Sequence, residues 1–185
     1  FINKQVYDAN GKPIEGLYVD LSEQGGVVNG DNADKYIYHN PAPVLMLGLS
    51  ARLEYKKFDF SASSRGSIGN YVLNDVAAGA SYDQLYQIGY FKNFTKALAE
   101  TDFVKRQFTS DYFVENASFL KLDNISAGYR FDNLFGAIGA RLSFTVQNAL
   151  ILTQYSGLDP EVNGGFDSNF YPRPRTYIVG LGLTF

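Results

Sequence analysis

Five stretches of this chain alternate apolar with polar or small residues, the period of an extended strand whose two faces meet different surroundings. Leu45, Leu47, Leu49, Ala51, Leu53 and Tyr55 share one face, against Met46, Gly48, Ser50, Arg52 and Glu54. After Lys56-Lys57, which reads as a tight turn, Phe58, Phe60, Ala62, Gly66 and Ile68 oppose Asp59, Ser61, Ser63, Arg65 and Ser67, with Ser64 a small polar exception among the apolar set. A third stretch carries Leu120 and Leu122, then resumes out of phase at Ile125, Ala127, Tyr129 and Phe131; one β-bulge at Asp123-Asn124 reconciles the halves. A turn over 132–139 leads to Leu142, Phe144 and Val146 opposite Arg141, Ser143, Thr145 and Gln147. In the terminal stretch Tyr177, Val179, Leu181, Leu183 and Phe185 oppose Ile178, Gly180, Gly182 and Thr184.

Strands of this length and pattern suit a tilted transmembrane β-strand, whose apolar face meets lipid and whose ends carry aromatic residues. The same alternation would also serve strands of a soluble β-sandwich. Connections are short at Lys56-Lys57 and 132–139 and long at 69–115 and 156–174. In outer-membrane barrels short turns face the periplasm and long loops face outside, which would place the end of the last strand in the periplasm.

Two regions break the strand period. Residues 1–43 are dense in turn signals, among them AspAlaAsnGlyLysPro and AsnProAlaPro, and read as a long structured loop with room for a short hairpin. Between Gly69 and Glu115, Tyr82, Tyr86, Tyr90, Phe94 and Leu98 recur every fourth residue as one helical stripe, interrupted by Gly89. Such a stripe packs a loop helix onto its scaffold or offers a ligand platform.

Composition agrees with a β-rich chain: 15 Phe, 14 Tyr and 18 Gly, without Trp or Cys. No apolar run approaches the roughly 20 residues of a membrane-spanning helix, a test that alternating barrel strands escape. The absence of Cys excludes disulfides, thiolate metal sites and a Cys nucleophile. A net charge of −3 gives no reason to expect nucleic acid. His39 is the single histidine, so neither a Ser-His-acid arrangement nor a metal-binding His pair can be drawn; no catalytic residue, metal ligand set or cofactor is predicted, and the chain is read as no enzyme. Phe1-Ile2-Asn3-Lys4 has no export signal, and five strands fall short of the roughly eight of the smallest barrels. An open sheet in hydrocarbon leaves unpaired N–H and C=O groups at several kcal/mol each, so the chain is expected to be part of a longer protein. Arg52, Glu54, Asp59, Arg65 and Arg141 alternate with the apolar set and are assigned to a watery lumen, where they tune passage, grip a plug or pair with one another.

The motifs at 5–20 (GlnValTyrAspAlaAsnGlyLysProIleGluGlyLeuTyrValAsp), 36–43 (TyrIleTyrHisAsnProAlaPro), 55–61, 116–131, 147–150, 155–161 and 171–177 (TyrProArgProArgThrTyr), in that order, resemble SusC/RagA-type TonB-linked outer-membrane transporters over nearly the whole chain. The resemblance implies an all-β fold: the carboxyl-terminal strands of a transmembrane antiparallel barrel of about 22 strands around a plug. It divides the chain into an extracellular loop region, 1–43, and barrel wall, 44–185. The implied function is import of oligosaccharides or peptides across the bacterial outer membrane. Its implied partners are the remaining barrel and plug, a SusD-like surface lipoprotein, TonB, the barrel-assembly machinery and outer-membrane lipid. Tyr36, Tyr38, Tyr71 and Tyr82 are candidates to stack on sugar rings, or simply pack the loops. Tyr177, Gly180, Leu183 and Phe185 match the terminal-strand signal that the assembly machinery reads, with Ile178 where a polar residue is usual. The family's acidic loop is altered here; Asp20, Asp31 and Asp34 could gather around calcium or form a solvated turn. The alternative for the chain is a soluble cell-surface β-rich binding module.

Overall fold

The computed structural model describes residues 1–22, 26–28, 32–87, 95–132, 136, 138–168 and 171–184. Eleven strands are seen among them: β1 (Gln5–Tyr7), β2 (Pro13–Asp20), β3 (Gly26–Val28), β4 (Leu45–Tyr55), β5 (Phe58–Ile68), β6 (Tyr71–Asn74), β7 (Val114–Asn116), β8 (Phe119–Phe131), β9 (Gly139–Thr153), β10 (Phe166–Asp167) and β11 (Thr176–Thr184). The short helices are α1 (Asp75–Ala78), α2 (Tyr82–Gln87) and α3 (Ala97–Thr101). They divide into a sheet unit, Pro43–Ile68 with Ser118–Gln154 and Tyr171–Phe185, and a loop unit, Phe1–Ala42 with Gly69–Ala117 and Tyr155–Phe170.

The sheet unit is one antiparallel meander in the order β11-β9-β8-β5-β4. Its members are the five alternating stretches of the sequence, and the hydrophobic period explains why they pair in one register: a slip by one residue would exchange the two faces. β4 and β5 pair without a break from Leu45↔Ile68 to Tyr55↔Phe58 across the Lys56-Lys57 turn, where Lys56 takes a left-handed φ of 54°. The phase change at Asp123 is an irregularity in β8, with pairing stepping from Ser64↔Leu122 to Ser63↔Asn124. β9 runs to Thr153, well past the stretch legible from alternation; pairing steps from Asn124↔Gln147 to Leu122↔Leu150 at a second irregularity, and Leu150 and Leu152 keep the phase of Leu142, Phe144 and Val146. There Asn148 sits at φ 51°, a conformation Asn tolerates better than most residues, and its amide donates to the Pro174 carbonyl at 2.9 Å. β4 and β11 are the outer strands of this sheet.

The loop unit holds two small sheets, β1-β2-β3 and β10-β6-β7, in the latter of which β10 runs parallel to β6. The 1–43 region thus contains a hairpin whose turn is closed by Asp8, its carboxylate accepting from the amides of Asn10 and Lys12 at 2.8 Å. Asn74 caps α1 by accepting from the Ala77 amide at 3.0 Å. Ala77, Ala78, Phe103 and Phe113 form one buried cluster, and Val72, Ala117 and Tyr155 another. The predicted single helical stripe is divided: Tyr82 lies on α2 and Leu98 on α3, while Tyr90 and Phe94 fall outside the described residues.

Candidate functional site

The candidate site of the sheet unit is its charged face. Arg52 donates to Glu54 at 2.6 Å, both on β4 and two residues apart, as same-face neighbours must be. Asp59 on β5 accepts from Arg141 Nε on β9 at 3.0 Å and is joined to Arg141 by a second guanidinium bond, a bidentate fork. That bridge spans the intervening β8 because residue 128 is Gly: a Cβ there would lie 2.6 Å from both Arg141 Nη2 and an Asp59 oxygen. Arg130 on β8 stands between the pairs, 3.6 Å from Glu54 and 3.9 Å from Asp59. Arg65 is apart from this network and reaches Asp123, at the bulge, at 3.1 Å. Of the five charged residues taken from the sequence, four share one cluster and the fifth another. Arg130 and Asp123 were missed, although Arg130 continues the polar phase of Ser126 and Gly128 and so carried a legible signal.

The opposite face is apolar and uncovered within the unit: Leu49 is 68% exposed and Val179 70%, with Leu47, Leu53, Leu142, Phe144 and Leu181 exposed beside them. Toward the short turns it bears an aromatic group, Phe58 against Tyr129 at 4.8 Å and Tyr129 against Phe131 at 4.7 Å. Tyr177 stacks near Phe144 at 6.3 Å, and Leu183 is exposed on the same strand. Gly180 faces Ser143, whose hydroxyl would lie 2.7 Å from an added Cβ. Phe185 lies outside the described residues.

In the loop unit three of the four candidate tyrosines meet. Tyr36 and Tyr38 are 5.6 Å apart, Tyr38 tilts against His39 at 4.1 Å, and His39 stacks on Tyr71 at 3.7 Å with planes 10° apart. His39, absent from the candidate set, is the bridge of this cluster. Tyr82 has a different role, donating to Asp102 at 3.2 Å. Burial first, then donation to Asp111, pushes the Tyr36 phenol well above its ordinary value. Burial and donation to Asp167 at 2.6 Å do the same to Tyr155. Asp34 accepts from the amides of Leu21 and Ser22, at 3.0 and 3.1 Å, and Asp20 accepts from Ser22 at 2.8 Å. Those bonds tie the turn; Asp31 lies outside the described residues.

No protein-family model matches the chain. Its whole length is 43% identical to the TonB-dependent receptor SusC of Bacteroides thetaiotaomicron, and 91% of it is 31% identical to the TonB-dependent receptor P3 of Formosa agariphila. The chain spans 19% of the length of each of these relatives. Among solved structures, the RagAB peptide transporter matches all of this chain and 22% of its own with a TM-score of 0.72 at 24% identity, a likeness of fold. An antiparallel sheet with one charged and one uncovered apolar face, together with these relatives, defines a segment of a TonB-dependent receptor β-barrel. The chain belongs to the SusC/RagA-type TonB-dependent receptors, as its ordered motifs imply.

Proposed function

We propose that the chain forms part of the wall of a plugged outer-membrane barrel of about 22 strands that imports nutrients with energy delivered through TonB. The observation that carries this reading is the exposed apolar face of β4, β5, β8, β9 and β11, which is too continuous for a soluble surface and suits lipid. The charged network on the other face then looks into the lumen, and the loop unit, including residues 1–43, is extracellular. A SusD-like lipoprotein closes over that end, and the assembly machinery reads the terminal strand through Tyr177, Gly180, Leu183 and Phe185. The substrates are oligosaccharides or peptides, the peptide reading being supported by the likeness of fold to the RagAB peptide transporter. Tyr36, Tyr38 and Tyr71, with His39, offer flat faces for such a ligand. The soluble binding module is disfavoured because, among the described residues of the sheet unit, no second layer covers the apolar face.

The test is membrane insertion. In the full-length protein, L49R should destabilise the inserted barrel by about 2–4 kcal/mol if the site is near the bilayer midplane, while S50R on the opposite face should have little effect. Equal tolerance of both substitutions would reject the lipid-facing assignment.

A further inference from the structure

The apolar face of the sheet ends on arginine. β11 runs nine residues, Thr176–Thr184, the length at which a tilted strand crosses the hydrocarbon layer. In the barrel reading, the residues just before it therefore stand at headgroup level on the side of the long connections. Tyr177, Val179, Leu181 and Leu183 carry the exposed apolar phase of the strand, and Arg175 and Arg173 continue that phase beyond it. At about 3.3 Å per extended residue they lie roughly 3 and 10 Å past Thr176, within or beside a headgroup layer about 5–8 Å thick.

Pro172 and Pro174 suit a segment outside the ladder: proline lacks the N–H that would need a strand partner, and it biases the preceding Tyr171 and Arg173 toward extended backbone. The segment is pinned to β9 at Asn148, whose side-chain amide donates to the Pro174 carbonyl at 2.9 Å and whose carbonyl accepts from Arg175 Nε at 3.4 Å. That acceptor is neutral, and among the described residues Arg175 forms no ion pair. Residues 171–179 are exposed throughout, Tyr171 at 91%. On β9, Leu150 and Leu152 carry the exposed apolar face past the last β9–β11 pair, Gln147↔Thr176.

We propose that Arg173 and Arg175 form a binding site for the phosphate of a lipid headgroup in the leaflet on the long-connection side, with the acyl chains of that lipid on Tyr177, Leu150 and Leu152. The proposal rests on the barrel reading above. A guanidinium fork matches phosphate oxygens bidentately, and a cation bordering an apolar membrane face selects an anion that carries hydrocarbon. Tyr171 and Tyr177 flank the pair, each with a ring for the acyl boundary and a hydroxyl for the headgroups. At the opposite end of the sheet Lys57 is paired with Asp132 at 3.0 Å and Lys56 lies over the Tyr55 ring, so both turn cations are already engaged.

The experiment uses the full-length protein in phosphatidylcholine nanodiscs and, as probes, lipid A, dephosphorylated lipid A and inorganic phosphate. Native mass spectrometry should show lipid A bound, and R173Q/R175Q should weaken that binding by at least about tenfold, the scale of losing hydrogen bonds to a charged group. R173K/R175K, which keeps the charges, should recover part of it, and K56Q should leave it unchanged. Equal binding of lipid A by wild type and R173Q/R175Q, or equal binding of dephosphorylated lipid A by the wild type, overturns the site. Saturation by inorganic phosphate alone overturns it in favour of a soluble-anion site, and a melting temperature that R173Q/R175Q lowers as much without lipid A as with it overturns it in favour of a structural role. In each of those cases the barrel reading stands. Wild-type protein that fails to enter the outer membrane of its cells overturns the barrel reading itself.

Discussion

At the scale of single residues, the loop unit is held by side chains that take the place of a backbone ladder. Glu15 is the clearest case: its carboxylate accepts from the amides of Val104 at 2.6 Å and Lys105 at 3.1 Å, 89 and 90 residues away. Gln107 accepts from the Gly16 amide and the Tyr18 hydroxyl, and Asp111 from the Gln5 amide at 2.8 Å, so the β1-β2 hairpin is stitched to 104–111. Hydrogen bonds to a charged group contribute about 1.5–3 kcal/mol. E15A should therefore raise hydrogen exchange at the Val104 and Lys105 amides by at least about tenfold, a 1.4 kcal/mol change, and leave β4 and β5 amides unchanged. Tyr36 and Tyr155 give a pH signature. Their folded-state pKa values lie above the ordinary value near 10, so their contribution is fully present below that pH. It is lost as pH rises from there through the folded-state values, because only the unfolded chain ionises first. Heat stability of the loop unit should thus fall above about pH 10, and Y155F should flatten the fall while lowering stability at neutral pH by about 1–3 kcal/mol.

At the scale of elements, the irregularity at Asp123 keeps one face of β8 apolar across a change of phase, and a second one in β9 keeps that strand paired with it. The first was legible because Leu122 and Ile125 are an odd number of residues apart. The second was not, since Leu150 and Leu152 keep the parity of Leu142, Phe144 and Val146 and no phase change marks it. Its structural signature is the left-handed Asn148, with the Pro174 carbonyl accepting from its amide. N148V puts a β-branched residue at positive φ and removes that bond, so it should destabilise the barrel by about 1–2 kcal/mol or more. N148G keeps the backbone conformation and loses only the bond, so urea unfolding should rank it between the two proteins. The helical stripe shows the converse. A period of four between Tyr82 and Leu98 predicts one helix, but α2 and α3 are separate, and the Tyr82 amide donates to the Phe103 carbonyl at 2.9 Å. Tertiary contacts around Phe103 outweigh a stripe interrupted by Gly89.

At the scale of the whole molecule, one face of the sheet is suited to hydrocarbon and the other to water, and V179R should resemble L49R in lowering barrel stability by about 2–4 kcal/mol because β11 carries the same apolar phase as β4. The amount of protein in outer-membrane fractions and its unfolding in urea check this, with T176R near the strand end expected to be milder. The places of the five sheet-unit strands, apart from the far end of β9, and their two faces were determined by the sequence itself, because a period of two is a local property that each strand carries alone. Family membership was legible in the same way, since it rests on the order of short motifs. What only the tertiary structure decided is which side chains meet across strands and loops. Arg130 joining Glu54 to Asp59, Gly128 making room for the Asp59–Arg141 fork, His39 bridging Tyr38 and Tyr71, and Glu15 capping Val104 all depend on residues brought together from distant parts of the chain. No periodicity records such pairs, because hydrogen bonds and ion pairs between distant residues are selected by geometry that exists only once the chain has folded.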